Sequence, residues 1–188
     1  PPYMSDWAQF EGTVATLIDL GLIEDASKIW WDLRPSSKFP TIESRICDVA
    51  PRMNVTLTLA ALTQCLVRMI WRKSRDGDGW RVVQNFMVAE NRWRAQRYGT
   101  TEGQIDVGRR ALIPFSQAVD EIIDLVSEDA EALGCLPEVL AARDIVRDGT
   151  SSESQRRVFK ESRENGATRQ EALQAVVAAL ISDFAKDI

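Results

Sequence analysis

Two short runs rich in β-branched and aromatic residues, Lys28 to Arg34 and Thr41 to Val49, are the only stretches of this sequence that predict strands. Between them lies PSSKFP, whose prolines and serines predict a loop, so the runs are expected to pair antiparallel. Two strands alone rarely hold in water and need more sheet, or a helix, to cover them. Everything after Pro51 carries helical signals instead. The expected class is α+β: antiparallel strands near the N-terminus followed by a mostly helical C-terminal part.

Ahead of the strands, Trp7 to Asp19 places Trp7, Phe10, Val14 and Leu17 on one helix face, with Ser5 or Asp6 as the cap and Gly21 as the stop. Asn54 is expected to cap a core helix carrying Val55, Leu59, Leu62, Leu66 and Met69, which ends before the SRDGDG loop at Ser74 to Gly79. Further helices are expected from about Trp80 to Tyr98, from near Pro114 towards Gly134, and from Leu136 to Arg147. Ser151 or Ser152 should cap the next, ending at Asn165-Gly166, and Thr168 with Glu171 forms a capping box for the last.

A chain of 188 residues with 45% hydrophobic content supports one unit, 1–188, with residues 1–50 as helix plus strand pair and 51–188 as the helical part. With 23 basic and 28 acidic residues the net charge is −5, which argues against a nucleic-acid surface and requires any anion to be held by a local site. Cys47, Cys65 and Cys135 have neither disulfide nor zinc spacing and fit a reducing cytoplasm. No uninterrupted apolar run of membrane-crossing length is visible, so no membrane partner is expected. Histidine is absent, which removes Ser-His-Asp and Cys-His nucleophile systems and leaves carboxylates and arginines.

Side chains alternate along a strand, so Asp32 and Arg34 share one face of the first run, and Glu43 and Arg45 one face of the second. In matching register the four crowd one patch. Arginines suit phosphate oxygens, and a hard cation wants carboxylate and phosphate oxygens, so the set describes a nucleotide triphosphate site. On pattern alone the commoner reading is the wet face of an antiparallel sheet.

The residue strings separate these readings. WDLRPSSKFPTIESRICD resembles the W-D-x-R-P-S, T-x-E-x-R, D signature of the carboxylate-amine ligases, the bacterial glutamate-cysteine ligase type 2 family. SDWAQFEGTVATLIDLG, NRWRAQRYG and GATRQEAL are similar to the family's segments in the same order. The resemblance implies a glutamine synthetase-like fold and an ATP-dependent ligase that forms an amide through an acyl phosphate, with ATP and Mg²⁺ (or Mn²⁺) as cofactors. It places the cation on Glu43 and phosphate on Arg45, makes Arg34 a second phosphate or acyl-phosphate contact, and leaves Asp32 to orient it. It also implies amino-acid carboxylate and amine substrates and a homo-oligomer.

Members of that family are about twice as long, and the missing N-terminal half supplies a G-x-E-x-E strand and a histidine-bearing strand. The chain, which starts Pro1-Pro2, is therefore expected to be a fragment that is inactive alone and partners the missing half of the same protein. The rival expectation is a non-catalytic ligase-like assembly or interaction module. Trp93 with Arg92, Arg94, Arg97 and Tyr98 is expected to be an aromatic core contact flanked by solvated arginines, with Arg97 possible at the active-site rim. Cys47 would share a strand face with Glu43 and Arg45; SRDGDG lacks the ligand series of a calcium loop.

Overall fold

The computed structural model describes residues 4–78 and 83–186 and is α+β, as expected. The chain divides into two compact units, Pro1–Val49 and Ala50–Ile188, one residue from the boundary between the two parts expected of a single unit.

In the first unit, helix α1 (Trp7–Asp19) is capped by Asp6, whose carboxylate accepts the Gln9 N–H at 2.8 Å. A short 3-10 helix, Ala26–Lys28, leads to strand β1 (Leu33–Pro35), which pairs antiparallel with β2 (Ile42–Ser44). The pairing matches expectation, but the strands are shorter than the runs 28–34 and 41–49. Each strand has one partner, Pro35 brings no N–H, and the Arg34 guanidinium draws the carbonyls of Ser27 and Ile29 into its own bonds. Those two carbonyls therefore bond a side chain instead of a ladder partner. Phe10 is buried, with Trp7 at 4.9 Å and Trp31 at 6.0 Å between ring centres.

The second unit is built on α2 (Met53–Arg75), α4 (Phe115–Leu133), α5 (Leu136–Leu140) and α6 (Ala142–Asp148). Its core joins Ala61 and Cys65 of α2 to Ile123, Val126, Ala130, Cys135, Val139 and Ala142. On α2 the deepest residues are Thr58, Ala61, Cys65 and Met69; of the expected stripe Met69 is fully buried, Leu62 and Leu66 are partly buried against the core, and the centre of the buried face lies one step round from Val55 and Leu59. By length and composition α2 could cross a membrane, whereas the sequence predicted no run of membrane-crossing length. Here it packs against other helices, and Arg68 and Arg72 of α2 bind the fully buried Asp129 of α4.

Four details differ from expectation. Helix α2 starts at Met53, one residue before the Asn54 proposed as its cap, and α3 spans Asn85–Tyr98, with Val83 and Gln84 outside it. Trp80, where that helix was expected to begin, lies outside the described residues. The stretch Leu136 to Arg147 is two helices, α5 and α6, meeting at Ala141. Thr150, not Ser151 or Ser152, caps α7 (Ser151–Glu164), because it forms the box with Glu153. Helix α8 (Arg169–Ala185) has the expected Thr168–Glu171 box.

A second hairpin, β3 (Gln104–Asp106) with β4 (Ala111–Ile113), occupies a stretch for which no strand was expected. Three-residue strands are too short for alternation to show. They are fixed by tertiary bonds: the Asn91 side chain of α3 takes both the N–H (2.7 Å) and the carbonyl (2.9 Å) of Ile105, and Arg94 donates to the Gly103 carbonyl at 2.9 Å.

Candidate active site

The register of β1 and β2 puts Arg34 directly opposite Glu43. Arg34 is buried, 7% exposed, and each of its terminal nitrogens has protein acceptors. One donates to the carbonyls of Ser27 (2.5 Å) and Ile29 (3.1 Å), the other to Glu43 Oε2 at 2.6 Å. Below it, the Asp25 carboxylate accepts the Ser27 N–H at 2.6 Å, and the bonds from Ser27 hold Asp25 below the usual carboxylate range. The turn that feeds Arg34 its acceptors is thus itself tied down.

Glu43 and Arg45 face outwards. The Glu43 side chain is 38% exposed and that of Arg45 35%, and Arg45 touches the same Oε2 at 3.5 Å, the outer limit of a hydrogen bond. Just past the ladder, the Arg45 N–H donates to the Asp32 carbonyl at 2.7 Å. The strands therefore bring Arg34, Glu43 and Arg45 together through side chains, while Asp32 joins through its backbone. One carboxylate between two guanidiniums leaves a positive charge at the exposed end, on the side where Arg45 stands.

Trp30 is a residue that the sequence pattern did not single out. It is 81% exposed, and Arg45 lies over its ring at 5.2 Å from the centre. The signal was in the alternation: Trp31 turns to Phe10, so its neighbour takes the ionic side.

Two other candidates have surroundings of their own. Cys47 lies beyond the end of β2 and is exposed, and desolvation with Asp48 beside it raises its thiol above the ordinary value, the opposite of an activated nucleophile. Trp93 is half exposed and no residue of α3 is buried, so the expected aromatic core contact is instead a surface one: Tyr98 meets Trp93 edge-on at 5.7 Å and lies 5.7 Å from both Arg94 and Arg97.

The donor set suits phosphate oxygens at Arg45. For a cation it offers one carboxylate, and among the described residues no group of three or more acidic or cysteine side chains could hold a metal. A Mg²⁺ ion at Glu43 would take the rest of its octahedral shell from water and phosphate oxygens, an arrangement common where nucleotides bind.

The family comparison agrees with the residue pattern on these strands. The sequence profile described as glutamate-cysteine ligase family 2 matches residues 1–179. The chain belongs to this family. A relative from Jannaschia sp. (strain CCS1) is 50% identical over all 188 residues and one from Ruegeria pomeroyi is also 50% identical over 188; one from Chloroflexus aggregans is 37% identical over 183. All three carry the provisional name glutamate-cysteine ligase 2. They align with 100%, 100% and 97% of this chain, which covers 50%, 48% and 45% of theirs. The chain thus spans about half the length of these family-2 ligase relatives.

Proposed function

We propose that β1 and β2 form one wall of the active site of an ATP-dependent carboxylate-amine ligase, of the glutamate-cysteine type, that makes an amide through an acyl phosphate. The observation that carries the reading is the Arg34–Glu43–Arg45 array on facing strands of a family-2 chain. The roles divide by exposure. Arg45 meets a phosphate oxygen; Glu43 is the carboxylate for a divalent cation, Mg²⁺ or Mn²⁺, which when bound neutralises phosphate charge as the phosphoryl group moves. Arg34, buried and with three of its five N–H groups donated to protein acceptors, is better suited to hold Glu43 in place than to reach phosphate itself. Asp32 positions Arg45 through its carbonyl.

The substrates are an amino-acid carboxylate and an amine, and the setting is the cytoplasm, in a homo-oligomer of glutamine synthetase-like fold. One carboxylate is a thin cation site, and the relatives are twice this length, so the 188 residues alone are expected to give no turnover and to need the other half of the protein.

The test is metal-dependent binding of a non-hydrolysable ATP analogue, measured by calorimetry on a protein of the relatives' full length that carries this segment. Glu43→Ala should abolish the metal dependence, and Arg45→Ala should weaken binding about tenfold or more, as loss of a charge-assisted phosphate contact does. If both variants bind as the parent does, the site lies elsewhere. ADP release by the isolated chain with glutamate and cysteine would overturn the expectation of inactivity.

A further inference from the structure

We propose that Trp30 is the positioning residue for Arg45, holding its guanidinium flat on the indole face so that its N–H edge stays open to a phosphate oxygen. The inference rests on the reading of Arg45 as a phosphate contact and adds the device that presents it.

Trp30 is the most exposed tryptophan among the described residues, at 81%, which is unusual for so large an apolar side chain. It is not spare core material, because the aromatic cluster of Trp7, Phe10 and Trp31 closes without it. What it touches is Arg45, at 5.2 Å from Cζ to the ring centre, within cation–π range.

The two arginines of the site are held differently. Arg34 is buried and fixed by hydrogen bonds that occupy three of its five N–H groups. Among the described residues the Arg45 guanidinium makes one long contact to Glu43, at 3.5 Å, and its central carbon stands over the Trp30 ring. All five guanidinium N–H groups lie in the plane, so a stacking partner restrains the side chain without occupying any of them. A long, flexible side chain is thereby presented at the mouth of the site with less freedom left to lose when an anion arrives.

Two measurements on a protein of the relatives' full length that carries this segment test this. In ¹⁵N-arginine spectra, the Arg45 Nε–Hε signal, identified by its loss in Arg45→Lys, should be displaced by the indole ring current. It should stay displaced in Trp30→Phe and move to the unperturbed position in Trp30→Leu. An Arg45 signal unaffected by Trp30→Leu would overturn the platform.

The second is calorimetric titration with inorganic tripolyphosphate, the bare form of the recognised group. Trp30→Leu should bind about two- to fivefold more weakly than wild type and with the same salt dependence, since no charge is lost; Trp30→Phe should recover to within about twofold. Arg45→Ala should lose affinity and part of the salt dependence. Equal binding by Trp30→Leu and wild type, with Arg45→Ala impaired, sinks the positioning role and leaves the site standing. Unchanged binding by Arg45→Ala, or none by wild type, sinks both.

Discussion

Asp129 is fully buried between α2 and α4, and its carboxylate accepts from Arg68 and from two nitrogens of Arg72, at 3.0 and 3.4 Å. Burial alone would raise its pKa, yet the arginine bonds outweigh it and the carboxyl titrates below its ordinary value. Glu153 is similar in kind. Desolvation raises it, but the N–H and hydroxyl of Thr150 and of Thr100 bring it down. A carboxylate whose folded pKa is depressed adds stability that is complete above the unfolded pKa and is lost as pH falls through the folded one. Urea midpoints should accordingly be level at neutral pH and fall once the pH drops below the ordinary values of 3.8 for Asp129 and 4.5 for Glu153. Asp129→Asn should cost about 3 kcal/mol at neutral pH, the low end for breaking a buried ion pair because both arginines keep some solvent, and should flatten the acid limb. A loss below about 1 kcal/mol would contradict this account of the core.

Among the elements, the β3–β4 hairpin depends most on a single side chain. Asn91→Ala leaves the Ile105 N–H and carbonyl without their partner, so about 2 kcal/mol of local stability should go, and amide exchange should accelerate at residues 104–113 while the α2–α4–α5 core stays protected. Uniform acceleration across both regions would mean that the hairpin is not a local unit. Gly99 is fixed in the same neighbourhood: its φ is +61°, and a Cβ there would stand 2.8 Å from Glu153 Oε1. How much could be read in advance follows from what set each element. The boxes at Thr168 and the cap at Asp6 are local in sequence and were legible; so was the antiparallel pairing that faces Arg34 with Glu43. The β3–β4 hairpin was not, because Asn91 and Arg94, which hold it, act from a neighbouring helix. Strand length was over-read for a related reason: the carbonyls of Ser27 and Ile29 are taken by a guanidinium seven and five residues away instead of by a strand partner. In the site, residue types announced Arg34 and Glu43, while the difference between a committed arginine and an available one appeared only with the hydrogen bonds.

At the scale of the whole molecule, apolar burial is unequal. Within the described part of the first unit, Phe10, Ala26 and Arg34 are the buried residues, whereas the second unit has a contiguous core of eight. Two strands and one helix bury too little to hold alone, so exchange of the β1–β2 amides should be far faster than that of α2 and α4, and thermal unfolding should show more than one transition. A single transition with equal protection in both units would refute this. The relatives that extend to twice the length are the natural comparison, since added chain that covers Leu33 (41% exposed) and Ile42 (53%) would slow the strand amides first.

The pair of thiols in the larger core gives the chain a clock of its own. Cys65 and Cys135, seventy positions apart, lie 3.5 Å from sulfur to sulfur, and burial first, then the neighbouring thiol, pushes Cys65 up to about 12. Neither can meet an alkylating reagent until α2 lifts away from the α4–α5 corner, while Cys47 is open at all times. One mass spectrum taken at intervals would therefore carry both a reference signal and the rate at which the interior breathes.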